Sequence, residues 1–395
     1  MTDFAATRRA FHLPSGITYL DGNSLGPMPV AAADRVARMM ADEWSDMLIA
    51  GWNKAGWYVQ PRRVGDRIAR LIGAGPGEVV MGDTLSIKVF QALSAALALR
   101  PGRRAILSDS GNFPSDLYVA EGLARAVGAE LRVVAPEDVE AAITPDLAVL
   151  MLTEVDYRTG RRHDMAALTA RAHDAGALTL WDLAHSAGAV DVDLTGADAD
   201  FAVGCTYKYL NGGPGAPAFI WTHPRHADAA QPILQGWMGH DAPFAFEGGY
   251  RPAAGIERMR VGTPPVIALT ALDAALDVWD GVAMPDLRAR SVELTQAFIA
   301  GVEAECPEVT LNSPRDPALR GSQVSFRHPQ GHAVMQALIA AGVVGDFRAP
   351  DVLRFGFAPL YNGNDDVNRA VGTLARILRD GSWDAEKFHH KAAVT

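Results

Sequence analysis

The sequence predicts an α/β protein with a mostly parallel central sheet and a smaller α+β C-terminal domain. Three observations lead there. Short, nearly all-apolar runs recur through the middle of the chain: Ala105-Ile-Leu, Leu131-Arg-Val-Val, Ala148-Val-Leu-Met-Leu, Leu178-Thr-Leu-Trp, Phe201-Ala-Val-Gly and Ala218-Phe-Ile-Trp. Such runs suit strands buried on both faces. Helical patterns lie between some of them, as at 165–175, with Asp164 as a plausible cap. From about Pro265 the texture changes to helices expected at 266–279 and 285–305, then short strands near Gln323-Val-Ser-Phe and Val352-Leu-Arg-Phe. The expected division is an N-terminal segment (1–50) packing with the small domain, a large α/β domain (51–270) and a small α+β domain (271–395).

Composition narrows the function. The chain has 395 residues, 49% of them apolar, which is enough for a sizeable core. Lys plus Arg total 36 against 46 Asp plus Glu, and no stretch concentrates the positive charge. Nucleic acid and anionic membrane are therefore poor partners. Cys205 and Cys306 stand far apart, neither in a CxxC pair, which argues against a disulfide framework or a cysteine zinc site. Residues 1–9 lack an apolar signal core, and no apolar run reaches the ~20 residues of a membrane helix. A cytoplasmic protein is expected. The tail His389-His390-Lys391 reads as a frayed terminus.

Ligands of open α/β sheets bind beyond the carboxyl ends of the strands. After Leu178-Thr-Leu-Trp comes Asp182-Leu-Ala-His185. After Phe201-Ala-Val-Gly comes Cys205-Thr-Tyr207-Lys208-Tyr-Leu-Asn-Gly212-Gly-Pro-Gly215. An acid and a lysine at neighbouring strand ends suit pyridoxal 5'-phosphate. The lysine forms an imine with the aldehyde, and the carboxylate keeps the ring nitrogen protonated. Gly82-Asp-Thr84-Leu85-Ser86 offers a phosphate a helix start, with Ser86 opening a long apolar helix to about Arg100. Taken singly, each feature is ordinary: Asp-x-x-His is commonly a capped turn, and a lysine in a glycine-rich loop is commonly solvated. Their conjunction at strand ends carries the argument.

Several longer motifs add a resemblance. Tyr19-Leu-Asp-Gly-Asn-Ser-Leu-Gly-Pro, Phe113-Pro-Ser-Asp116, Asp182-Leu-Ala-His185, Tyr207-Lys208-Tyr-Leu-Asn, Gly236-Trp237-Met-Gly-His240 and Arg354-Phe-Gly-Phe-Ala-Pro-Leu-Tyr-Asn resemble the kynureninase family in content and order. The family consists of homodimeric fold-type-I pyridoxal-phosphate hydrolases that cleave L-kynurenine, or 3-hydroxy-L-kynurenine, in tryptophan catabolism and the kynurenine pathway towards NAD biosynthesis, so the resemblance implies the fold-type-I, PLP-dependent-transferase-like fold. The resemblance implies that Lys208 holds the cofactor and moves protons, that Asp182 pairs with the ring nitrogen and that His185 lies beside the cofactor. Phe113 would stack on the ring, with Asp116 and Thr153 as polar neighbours. Leu85, Ser86 and Tyr207 would meet the phosphate, joined by Trp237 and Thr263 from the other subunit of a homodimer with a composite site. Arg354 would hold the substrate carboxylate through paired hydrogen bonds, and Trp57 would line the aryl end. Family members acting on 3-hydroxykynurenine carry asparagine where Thr263 stands, so unsubstituted kynurenine is the expected substrate.

Rival readings share some of these residues. An aminotransferase would keep Lys208, Asp182 and Arg354. A cysteine desulfurase needs a nucleophilic cysteine on a mobile loop, a role neither Cys205 nor Cys306 suits. A metallohydrolase would use Asp182 and His185 with His163 or His240, but no HxH or HExxH spacing occurs. A regulator that has lost the chemistry would not be expected to retain Lys208 and Asp182.

Overall fold

The computed structural model describes residues 1–390. Its centre is a seven-stranded sheet in the order Val79–Met81, Phe219–Thr222, Phe201–Gly204, Leu178–Asp182, Leu147–Thr153, Ala105–Asp109, Glu130–Val134. Phe219–Thr222 runs antiparallel to both its neighbours, and the other strands point one way. The mostly parallel α/β sheet expected from the apolar runs is therefore present. Every residue of Leu147–Thr153 is buried, and the strand feeds two cores. Leu150 and Leu152 enter one, Val149 and Met151 the other, as the two-residue period of a strand dictates.

Helices cover both faces. Leu85–Ala98 and Pro114–Val127 supply Val89, Leu93 and Leu123 to one core. Gln60–Ala69, Met165–Asp174 and Val266–Leu276 supply Val64, Met165 and Leu269 to the other. Asp164 caps its helix as expected, accepting from Ala167 N at 3.0 Å. Gly128, with φ +69°, ends the Pro114–Val127 helix in the left-handed conformation that glycine adopts without strain. Two limits differ from the sequence expectation. The apolar helix opens at Leu85 instead of Ser86, because Thr84 is extended, and the helix from Val266 tightens into a 3-10 turn at Asp277–Trp279.

Asp346–Arg348, Val352–Gly356, Gln323–Arg327 and Thr310–Leu311 form a second, antiparallel sheet in that order. It packs with Met284–Glu305, Gly331–Ala340 and Asn364–Asp380 around Leu294, Phe298, Phe326, Phe355 and Leu374. Leu272, Trp279 and Leu287 lie in the larger core. The first fifty residues reach both parts. Thr18–Tyr19 pairs with Val343–Val344, and Val30–Arg38 packs on Val266–Leu276. Among the described residues no helix is long and apolar enough to cross a membrane. Of the tail, the His390 carbonyl accepts from His332 Nε2 at 3.0 Å, and Lys391 lies outside the described residues.

Candidate active site

Parallel pairing brings the key groups to one edge. Asp182 is in register with Thr153 on one side and Val203 on the other, so the turns after these strands leave the sheet together. Lys208 Nζ lies 2.8 Å from His185 Nε2 and 5.8 Å from the ring centroids of both Phe113 and Tyr207. Asp182 is buried, with Oδ1 accepting from Ala184 N at 2.8 Å and Oδ2 near Thr153 Oγ1 at 3.5 Å. Asp116 sits in the first turn of Pro114–Val127, and neither of its buried oxygens has a hydrogen-bond partner.

Burial raises both carboxyls, but unequally. Asp116 is driven well up by burial and then by the charge of Asp182. Asp182 is raised by burial, while Lys208 pulls it back down. Of the two, Asp116 is raised the further, and the charge of Lys208 favours the ionised form of Asp182. His185 is pushed well below its ordinary range by burial, then by Lys208 and Arg354. The neighbouring Cys205, then burial, push the Tyr207 hydroxyl above its usual range.

A phosphate cradle lies on the same edge. Val79–Met81 points with the parallel strands and passes through Gly82 (φ +152°) and Asp83 (φ +57°) into the helix at Leu85. Thr84 makes no side-chain cap bond, so the N–H groups of Leu85 and Ser86 are not claimed by it. Lys88, wholly buried one turn in, donates to Met259 O at 2.8 Å and Gln91 Oε1 at 2.9 Å, with Asp83 Oδ2 at 3.3 Å. Burial lowers its ammonium to about 8. The lysine, the buried acid opposite it, the orphaned Asp116 carboxyl and this helix start fit pyridoxal 5'-phosphate.

Arg354 is 1% exposed and held on several sides. Nε donates to Asp346 Oδ1 at 2.7 Å, and Nη2 donates to Asp346 Oδ2 and to Ser24 Oγ, the latter at 2.9 Å. Nη1 donates to the Tyr157 carbonyl, and Tyr157 in turn meets Phe113 edge-on at 5.1 Å. The Nε–Nη2 edge is thus taken and one Nη1 hydrogen goes to Tyr157, so an incoming carboxylate meets one remaining Nη1 hydrogen instead of the paired bonds expected from the sequence. Asp346, Ser24, Tyr157 and Gln323 belong to the site but were not singled out from the sequence. Ser24 lies inside a quoted motif and Gln323 opens an expected strand, whereas Asp346 falls in no element or motif read from the sequence.

Three expected residues stand apart from Lys208. Trp57 donates its indole N–H to Glu43 at 2.8 Å and lines an apolar groove with Trp44, Gly213, Pro264 and Ile267. Thr263 is exposed beside Gly82 and Asp83. Trp237, 39% exposed, stacks on Phe246. The rival sites fare differently. His163 is bound to Asp109 at 2.6 Å, and His240 lies against Gly249 O at 3.2 Å. Among the described residues no group of three metal-ligand side chains forms. Cys205 and Cys306 are both buried, and burial lifts Cys306 to about 12, so neither is an exposed thiolate nucleophile.

Comparison with known proteins agrees with this geometry. A kynureninase C-terminal domain family model matches residues 287–374. Kynureninase of Pseudomonas fluorescens is 51% identical over 400 residues, covering 99% of this chain and 96% of the relative. Among solved structures, a cysteine desulfurase from Thermococcus onnurineus superposes with a TM-score of 0.80 at 19% identity, covering 95% of this chain and 98% of its own. A lyase variant with glycine covalently linked to its pyridoxal-phosphate cofactor gives 0.79 at 18% identity, over 93% and 98%. These two distant likenesses speak for the fold alone. The sequence identity reaches further, for at 51% it runs over nearly the whole length of both chains: the chain belongs to the kynureninase family.

Proposed function

We propose that Lys208 is the cofactor lysine and general base of a kynureninase, which hydrolyses the Cβ–Cγ bond of L-kynurenine to anthranilate and L-alanine. When bound, pyridoxal 5'-phosphate supplies a protonated ring that withdraws electrons from the substrate's α-carbon. Asp182, kept charged opposite Lys208, holds the positive charge of that ring nitrogen in place. Asp116, protonated, and Thr153 fill its polar surroundings without adding charge. Phe113 covers one face of the site and excludes water, with His185 beside it. The N–H groups of Leu85 and Ser86, with Tyr207, receive the phosphate. Arg354 orients the α-carboxylate through its Nη1 side, which sets the α-hydrogen towards Lys208 Nζ. Lys208 takes that proton, and Tyr207 is the partner for later proton transfers.

The carrying observation is the buried Asp182 facing Lys208 at neighbouring strand ends. The test is direct. Protein reconstituted with pyridoxal phosphate should release fluorescent anthranilate from L-kynurenine, and Lys208→Ala should abolish it; retained turnover sinks this reading. With threonine at 263, kcat/KM should be higher for kynurenine than for 3-hydroxykynurenine in the same assay.

A homodimer with a composite site is part of this proposal. Leu25, Met28, Val30, Trp44 and Ile267 are exposed, and a groove of about 800 Å³ runs from Leu13 past Met28 to Ala271. A single chain leaves this apolar surface in water, and a second copy would bury it. Trp237 and Thr263 would then serve the partner's phosphate, and Trp57 the aryl end. Unpaired, buried cysteines support a cytoplasmic location. The division into 1–50, 51–270 and 271–395 is supported in outline by separate cores, with Leu272–Leu287 favouring a boundary further along the chain.

A further inference from the structure

The hydrogen bonds around His185 leave one protonation pattern. Gln323 Nε2 donates to the Asp156 carbonyl at 2.8 Å, which turns the Gln323 amide oxygen towards His185 Nδ1, 2.9 Å away. An amide oxygen only accepts, so Nδ1 carries the hydrogen. Flipping the amide would set its oxygen against the Asp156 carbonyl and its N–H groups against Nδ1–H, losing the Asp156 bond. Nε2 then presents a lone pair to Lys208 Nζ, which donates to it across 2.8 Å.

We propose that Gln323 is a positioning residue that holds His185 neutral, as its Nδ1–H tautomer, with the Nε2 lone pair reserved for Lys208 and for the cofactor bound there. This rests on the reading of Lys208 as the cofactor lysine. Gln323 is completely buried and opens the strand Gln323–Arg327 of the smaller sheet, 138 residues from His185. The loop that carries His185 therefore does not set its state; the other sheet does. Glutamine suits the task better than an acid, because a carboxylate at Nδ1 would stabilise the imidazolium. The charged groups around His185 work in the same direction. Lys208, Arg354 and Arg348 all disfavour a second proton, and Asp182 is engaged with Ala184 N and Thr153.

Histidine-selective 15N labelling of the apoenzyme reads the tautomer without cofactor. Wild-type His185 should show a protonated Nδ1 and a bare Nε2 through the ordinary histidine range near about 6.5. Gln323→Glu should raise the His185 titration by about one to three pH units and carry the acid limb of kcat/KM with it. Gln323→Met, of similar volume but without an acceptor, should mix the tautomers and lower kcat by more than about tenfold, as a wrong tautomer does elsewhere, with KM little changed. Far-UV circular dichroism selects the folded variants. A wild-type His185 protonated at Nε2 overturns the proposal, and so does a folded Gln323→Glu whose titration and acid limb stay put. Retained turnover in Lys208→Ala would instead overturn the functional reading and leave the tautomer result standing.

Discussion

At the scale of single residues, the site divides its charges by environment. Asp116 and Asp182 share one buried space and both feel the charge of Lys208, yet Asp116 is raised the further, because the charge of Asp182 adds to its burial. Asp116→Asn should thus be mild, since an amide replaces a protonated carboxyl at equal size. Asp182→Asn should weaken pyridoxal-phosphate binding by tenfold or more, each factor of ten being about 1.4 kcal/mol. Fluorescence titration of the two apoproteins checks the order, and equal losses would contradict the assigned proton. Arg354 and Asp346 are each 2% exposed at the side chain, a buried pair with both charges matched. Asp346→Ala strands the guanidinium and should cost about 3–5 kcal/mol of stability, seen as a lower Tm. Arg354→Lys keeps the charge but loses the planar fork held by Asp346, and should lower Tm by less than Asp346→Ala while raising KM for kynurenine.

Elements place these residues, and their junctions tolerate little change. The helix Gln60–Ala69 sets Gly65 directly over the Val79 carbonyl of the strand that leads to the phosphate cradle. A methyl there meets backbone, which cannot rotate away. Gly65→Ala should therefore destabilise by about 1–3 kcal/mol and loosen cofactor binding together. Asp164→Ala removes a single cap at the start of the helix Met165–Asp174, and should cost only about 1 kcal/mol with unchanged turnover. Urea denaturation with a parallel activity assay distinguishes the two. These elements were legible in advance because continuous apolar runs and a capped helical period can be read locally. The opening of the apolar helix shifted by one residue, since the extended backbone at Thr84 follows from the left-handed Asp83, which sequence period does not reveal.

The whole molecule brings in pH and assembly. Asp200 is buried at the edge of the sheet away from the site. Burial would raise it, but His173, His226 and Arg225 outweigh that and hold it well below the ordinary carboxylate range. A depressed carboxyl stabilises the fold above its unfolded value of about 3.9, and that contribution is lost as pH falls through the folded value. Asp200→Asn should therefore narrow the stability difference between neutral and acidic buffers, measured as the fall in Tm below pH 4. The proposed composite site would predict that Lys208→Ala mixed with Trp237→Ala recovers anthranilate release that neither shows alone. Absence of recovery after subunit exchange would argue that each chain completes its own pocket.

The sequence by itself determined the parallel sheet, the lysine and acid at adjacent strand ends, and the helix start after Gly82, because each depends on order and period along a short stretch. Tertiary structure decided the rest. Gln323 reaches His185, and Asp346 with Ser24 reaches Arg354, from segments distant in the chain, and only packing could bring them there. It also decided which of Asp116 and Asp182 is raised the further, since burial and the position of neighbouring charges have no counterpart in a one-dimensional pattern.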